Sequence, residues 1–537
     1  MTDVERGYAR LHTTDSSDSL ELNDLSSHSA SSTSHGPNEQ TNTNGDTTGP
    51  LQPQDSIIVE FRKRRQIFWD RLQGKGRRVP GWGKSGKNLL RSSVLNVFFI
   101  FIPFAWASHF MNTNGHWPTQ LTFALCFLSI IPLEKTFDWG GEQMSLYLGK
   151  GLGDLVTITL NNAVEAALAV ALLRKCELRL LQATIVGVVI LHLLLIPGTA
   201  FLAGGAQILE QELHAHHAQL NLSLLAIGVL TILLPTALFA SLDRGAQSIA
   251  TNGIAQYSGT LLTDLTRDKI LRMSRGLAVV LLLVYVMSRV FLHNPPGEGN
   301  ALKVAPNAPE QLKHEEHMLE QTEPEINPWA CVLLLVITVA IMAATAEFLV
   351  ESIEGVRESG HIQEEWFGLI LLPVVSFSAD GVVAIVYFAH SLLNHITGRK
   401  PLEPQGFAKA RAIDLSIQFT LFWMPFLVLL GWWINKPMHL LFDYFEVAVV
   451  LGSCFLVNYI TADAKTNWVE GLIMVCFYIM IAICAWFYVG QPELEIMLNC
   501  PGSVLEALAA EAAGEGAAGE GGGAAIEHAT RMLKTML

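Results

Sequence analysis

From residue 94 to residue 488, long apolar stretches alternate with short polar ones. The apolar stretches cover 94–111, 120–137, 152–174, 179–206, 220–242, 276–293, 329–349, 364–392, 409–432, 443–461 and 468–488. Most approach the ~20 residues with which a helix crosses the hydrocarbon core of a bilayer. The pattern predicts an all-α integral membrane protein with about 11 transmembrane helices. Two stretches are interrupted in the same way. LVTITLNNAVEAALAVALL, residues 155–173, has Glu165 near its middle, and ILLPVVSFSADGVVAIVYFA, residues 370–389, has Asp380 at the matching place. A carboxylate at the centre of a span costs about 2.5–3.5 kcal/mol or more, so it marks an ion or proton pathway. Two such stretches predict a transporter of two repeated halves around a midplane site.

Composition supports a membrane protein: 50% of the 537 residues are hydrophobic and 16% are charged, and the mean hydropathy is +0.34. The seven cysteines, Cys126, Cys176, Cys331, Cys454, Cys476, Cys484 and Cys500, show no paired spacing. They read as small packing residues, neither disulfides nor a zinc site. No charged segment followed by a short apolar one opens the chain, so no cleaved signal peptide is expected and the first span acts as the insertion signal.

The polar segments divide the chain. Residues 1–56, rich in Ser, Thr, Asn and Asp, read as a disordered N-terminal tail. Residues 57–91 form a basic juxtamembrane segment with eleven Lys or Arg against two acids, which predicts a cytosolic N-terminus. Its Phe61, Ile67, Phe68 and Trp69 would also suit an anionic leaflet. A first half, 92–293, and a second, 329–490, flank an acidic loop, 294–328, with seven Glu and two Lys. Residues 491–537 read as a low-complexity C-terminal tail. Alternation from a cytosolic N-terminus puts loops 207–219, 294–328 and 393–408 in the cytosol. Loop 243–275 then falls on the other side although it carries Arg244, Arg267, Lys269, Arg272 and Arg275, against the charge rule.

Several residues could carry chemistry. Asn162 and Glu165 are three apart and would share one helix face. An amide carbonyl beside a carboxylate is hard-oxygen chemistry that suits Ca2+ better than zinc or copper. Asp380, with Ser378 close by, would supply the second half of the site, where Pro373 loosens the helix. Aligning the halves sets Phe377 opposite Asn162. Gating or proton relay falls to Glu142, Gln143, His192, Glu347, Asp414, Ser416, Gln418 and Glu446; each could equally be a buried structural hydrogen-bond partner. Gly151-Leu152-Gly153-Asp154 matches a four-residue signature of intramembrane aspartyl proteases, but the Tyr-Asp pair and Pro-Ala-Leu string of those enzymes are missing, so no enzyme is expected.

Between about residues 90 and 490 the chain resembles the cation/proton exchanger family, especially fungal vacuolar Ca2+/H+ exchangers. NNAVE at 161–165 is similar to the family's GNAVE. LRLLQATIVG (178–187), MSRGLAVVLLLVYV (273–286), WFGLILLPVV (366–375), GWWINKPM (431–438), FEVA (445–448), NYI (458–460) and NWVEGL (467–472) resemble family segments. The resemblance implies two inverted repeats around a midplane cation site, with Ca2+ and protons alternating on Glu165 and Asp380. It also implies a vacuolar membrane, and an acidic cytosolic helix that 310–325 could match. No resident cofactor or nucleic acid is expected; the partners are the two ions and the lipid bilayer, and homo-oligomer formation stays open.

The chain departs from the family pattern where ligands are expected. The second signature, GNAAEH in the family, reads Ser376-Phe377-Ser378-Ala379-Asp380-Gly381. Asn161 replaces a Gly, Thr157 an upstream Asn, Leu191-His192 a Ser-Asn pair, and Asp414-Leu415-Ser416 a GSS. Two functions follow: an antiporter exchanging Ca2+ or a related divalent cation for protons across an internal membrane, or a transport-poor paralogue that regulates or partners an active exchanger.

Overall fold

The structure is a computed structural model. It describes residues 65–66, 68–70, 72–75, 78–113, 117–148, 150–205, 211–212, 215–243, 263–293, 322–360, 362–375, 377–378, 381, 411–463, 465–500, 502–504 and 506. Asp380, the tail 1–56, Arg244, most of the acidic loop and residues 507–537 lie outside the described residues. The chain divides at residue 70 into two units. In the first, the rings of Phe68 and Trp69 meet edge to face with centroids 6.2 Å apart.

The second unit is a helical assembly. A short basic helix, α1 (Trp82–Ser92), is followed by a 3-10 turn (Val94–Ile100) that leads into α2 (Phe101–Thr113). Then come α3 (Thr119–Leu148), α4 (Lys150–Asn161), α5 (Ala163–Lys175), α6 (Leu178–Ile190), α7 (Ile196–Gly205), α8 (Ala215–Asp243) and α9 (Asp264–His293). The second half holds α10 (Pro328–Gly360), α11 (Glu364–Trp366), α12 (Arg411–Gln418), α13 (Met424–Trp433), α14 (Tyr444–Ile460), α15 (Trp468–Trp486) and α16 (Pro492–Leu498).

Among the described residues, eight helices are long and apolar enough to cross a membrane, or nine if α4 and α5 form one bent span. They match the expected spans except the eighth, whose second half lies largely outside the described residues, and the tenth, which is the shorter apolar helix α14. Three differ in extent, the seventh by running on to Gly360. The second runs on to Leu148 and takes in Asp138, Glu142 and Gln143. The sixth starts at Asp264, so Arg267, Lys269, Arg272 and Arg275 lie on a helix and not in a loop. Arg272 pairs with Asp268 at 2.7 Å and Arg275 caps the Trp432 ring at 4.8 Å.

Three helices widen into a π turn: Leu191–Leu195 between α6 and α7, Phe367–Leu371 after α11, and Phe419–Trp423 between α12 and α13. Each ends two residues before a proline, Pro197, Pro373 or Pro425. Proline has no N–H and its ring clashes with the carbonyl four residues back, so the turn opens to an i→i+5 bond instead. The bonds that close them run from Ile196, Leu372 and Met424 N–H to Leu191, Phe367 and Phe419 O. The first and third turns occupy corresponding spans of the two halves.

All thirteen residues of α6 are buried, so this helix is the hub of the fold. It crosses the π turn at 367–371 with almost no separation: a Cβ on Gly187 would lie 2.2 Å from Leu369 O, and one on Gly368 2.7 Å from the Ala183 Cβ. Glycine is required because the backbones of the two halves touch there. On one face, a two-residue antiparallel ladder pairs Gln211 with Thr466 and Glu212 with Lys465. On the other, the segment assigned to the C-terminal tail begins as ordered structure: α16 and Val504 pack with Phe239, Ile270 and Leu441.

That face also overturns the reading of two cysteines. Cys176 and Cys500 are joined as a disulfide with Cα atoms 6.3 Å apart, inside the about 4.4–6.8 Å usual for such bonds. The partners are 324 residues apart, so spacing carried no sign of the pair. The other five cysteines are free.

Candidate functional site

The third span bends by 51° between α4 and α5. Asn161 and Asn162 stand at the bend, and asparagine is a poor helix former because its amide competes for backbone partners. The break leaves Glu165 in the first turn of α5, where the helix dipole favours a negative charge. Glu165 is only 3% exposed. Facing it is His192, carried by the first π turn, with Nε2 3.6 Å from Glu165 Oε1. The π turn swings this side chain out of the α6 register.

The two residues belong to a cavity of about 30 Å3 lined by Glu134, Asp138, Asn161, Glu165, His192, Ile196, Phe377 and Leu415. That volume suits a bare cation or one or two waters. Glu134 and Asp138 come from α3, four residues apart on one face. Lys135 Nζ donates to Asp138 Oδ2 at 2.9 Å. The Asn161 amide, turned to satisfy both partners, donates to Thr157 O at 2.9 Å and to Asp138 Oδ1 at 3.1 Å. The lining therefore combines three carboxylates, an amide and an imidazole, mostly oxygen donors of the hard-cation kind. Among the described residues no three His, Cys, Asp or Glu side chains converge closely enough to hold a metal ion.

Glu134, Asp138 and Asn161 were not among the expected ligands. The signal was there: Glu134 is a carboxylate inside an apolar span, the same feature that marks Glu165. Placing the span boundary at residue 137 hid its pairing with Asp138.

Asn162 is held beside the cavity, not in it. Its Nδ2 donates to Gln418 Oε1 at 2.8 Å and to Leu415 O at 3.2 Å. Gln418 in turn donates to Thr159 Oγ1 at 2.8 Å and to Tyr285 OH at 3.0 Å. Gln418 thus ties the broken span to α9 and α12. The buried Asn162 Oδ1 and Ser416 Oγ have no hydrogen-bond partner among the described residues. Asp414 accepts from Asn221 Nδ2 at 2.8 Å, which brings α8 against α12.

In the second signature, Ser378 Oγ donates to Val375 O at 2.7 Å on its own helix, and Phe377 lines the cavity. A Cβ on Gly381 would stand 2.8 Å from the Phe377 ring. The two departures from the family pattern are therefore coupled: a larger residue at 381 would collide with this phenyl group. Glu142 is exposed on α3, and Glu347 forms an ion pair with Arg174 at 3.4 Å. Neither lines the cavity.

The chain matches the model of the sodium/calcium exchanger protein family over residues 120–293 and 330–487. It is 30% identical to a protein named Vacuolar calcium ion transporter from Cryptococcus neoformans var. grubii, covering 85% of this chain and 83% of the relative. It is also 30% identical to the Schizosaccharomyces pombe protein of the same name, covering 75% of this chain and 87% of the relative. The solved structure of native YfkE superposes with a TM-score of 0.52 at 21% identity, covering 73% of this chain and 100% of that one. This last likeness concerns the fold.

Proposed function

Because the chain belongs to the sodium/calcium exchanger protein family, we propose that it is a secondary active antiporter exchanging Ca2+, or a related divalent cation, for protons across an internal membrane. The carrying observation is Glu165, a carboxylate 3% exposed at the broken third span and set against His192 in a small acidic cavity. A carboxylate cannot face a low-dielectric interior as a bare anion at modest cost; it must hold a proton or a cation. Alternate occupancy by the two is exchange. Glu134 and Asp138 lie next to Glu165 and would draw cations to it.

Glu165, with Asp380 from the second half, forms the cation site in this reading, with Asn162 and Ser378 as supporting groups. The cation is cargo, and no resident cofactor is called for. The relatives named as vacuolar support a vacuolar membrane, and the basic segment 57–91 supports a cytosolic N-terminus. The alternative of a regulatory paralogue has no support beyond the sequence departures that suggested it.

The test is uptake of radiolabelled Ca2+ driven by a pH gradient, in vesicles from cells lacking their own exchangers. Uptake should collapse with a protonophore and with Glu165→Gln. Undiminished uptake by that variant would remove Glu165 from the transport step.

A further inference from the structure

A second set of buried charges lies apart from the cavity, where the two halves meet on the face that carries the disulfide. Arg179 at the start of α6 donates through Nε to Glu365 Oε1 at 2.7 Å and through its NH2 group to Asp443 Oδ2 at 3.0 Å. Glu365 belongs to α11, and Asp443 caps the N-terminus of α14. Glu446, one turn further along α14, completes the cluster. The four residues are 7%, 5%, 0% and 1% exposed in the order Arg179, Glu365, Asp443, Glu446.

Three buried carboxylates therefore surround one guanidinium, and they are not equally compensated. Asp443 accepts from Arg179, from Tyr488 OH at 2.6 Å, from Gln491 N–H at 3.0 Å and from Phe445 N–H at 2.8 Å. That is a fully satisfied anion. Glu365 takes a charged bond from Arg179. Glu446 has only a 3.3 Å bond from Asp443 N–H to Oε2, and its buried Oε1 has no hydrogen-bond partner among the described residues. Arg179 attracts it electrostatically, but the guanidinium's hydrogen bonds go to Glu365 and Asp443, and those two carboxylates repel it. Glu364 is paired with Arg357 at 2.6 Å and has Glu177 and Glu495 within electrostatic reach, while neutral His439 lies beyond Gln182. An ionised carboxylate buried without a cation or a set of donors is strongly disfavoured against its neutral form.

We propose that Glu446 is a resident proton site, distinct from the transport cavity, that couples acidity on this face of the membrane to the joint between the two halves. With Glu446 neutral, the cluster of Arg179, Glu365, Asp443 and Glu446 carries one net negative charge. Loss of the proton leaves two, and the joint of α6 with α11 and α14 weakens. The group binds a proton more readily folded than unfolded, so its contribution to stability is full in acid and is lost as pH rises.

The experiment compares thermal unfolding of the full-length wild type and Glu446→Gln between about pH 6.5 and about pH 9; the histidines, which titrate near pH 6.5, are common to both proteins and cancel in the difference. Glutamine keeps the side-chain acceptor of the helix cap. The wild type should lose stability relative to the variant as pH rises, by up to about tenfold per pH unit in the unfolding constant. The infrared spectrum of the variant should lack one protonated-carboxyl band present in the wild type. Unfolding midpoints that stay a constant distance apart, or superposable carboxyl spectra, would overturn the proposal. Glu446→Met replaces the glutamine variant should that not fold. Neither readout depends on transport, so failure of the exchange reading would leave this result standing by itself.

Discussion

His192 Nε2 lies 3.6 Å from Glu165 Oε1. A group that can be a cation or a neutral base thus sits beside the carboxylate that the first half contributes to the cavity. As an imidazolium it would compete with the transported cation for Glu165; as a neutral ring it would not. His192→Gln keeps the bulk and removes that competition. Apparent Ca2+ affinity at acidic pH should rise, by up to about tenfold or ~1.4 kcal/mol, with little change in alkali. Superposable pH profiles of uptake would show that the imidazole has no part in coupling.

The crossing of α6 with the second-half π turn is a backbone contact. Gly187→Ala would drive a Cβ to 2.2 Å from Leu369 O, and carbonyl and helix must then move apart. We expect a loss of about 1–3 kcal/mol, read as a lower unfolding midpoint. Gly276→Ala is the control: nothing lies within 4 Å of its Cβ, and alanine favours the helix by about 1 kcal/mol. Equal midpoints for the two variants would contradict the close crossing.

Cys176 stands in the left-handed conformation at the end of α5, with φ 67°, and Cys500 follows α16. Their bond fastens the C-terminal segment to the loop after the broken span. In the denatured, unreduced protein a maleimide should modify five cysteines, the free ones, and reach Cys176 and Cys500 only after reduction. Labelling of all seven without reductant would show that the bond is not formed.

His439 lies in the segment between α13 and α14 and is fully buried. Burial disfavours its charged form and lowers its pKa from 6.5 to about 4. The unfolded chain takes up a proton in that interval and the folded one does not. Stability is therefore complete above about pH 6.5 and is lost as pH falls towards 4, by about 3 kcal/mol. His439→Asn should remove that acid-side slope while lowering stability at neutral pH, since Leu441 N–H loses its 3.3 Å bond to Nδ1. An unchanged acid slope in the variant would assign it to other groups. The slope is opposite in sign to the one assigned to Glu446, so the two act at opposite ends of the pH range.

Read by itself, the sequence established the class of protein and half of the site. Hydropathy is summed over neighbours in the chain, so the spans were legible, although three of them run about a turn or more beyond their apolar cores, and the bend at Asn161-Asn162 emerged only in the structure. Glu165 was legible because a carboxylate in a span is costly wherever it points. Tertiary structure alone decided what surrounds it. Which helix faces α5, and so whether Glu134, Asp138 or Glu142 joins Glu165, depends on helix packing and not on local pattern. The same holds for Asn162, turned aside by Gln418 256 residues away, and for Cys176 and Cys500. Arg179 reads from the sequence as a charge at a span end. Only the fold brings Glu365 and Asp443 to it from the other half, because an ion pair depends on distance in space and is blind to distance along the chain.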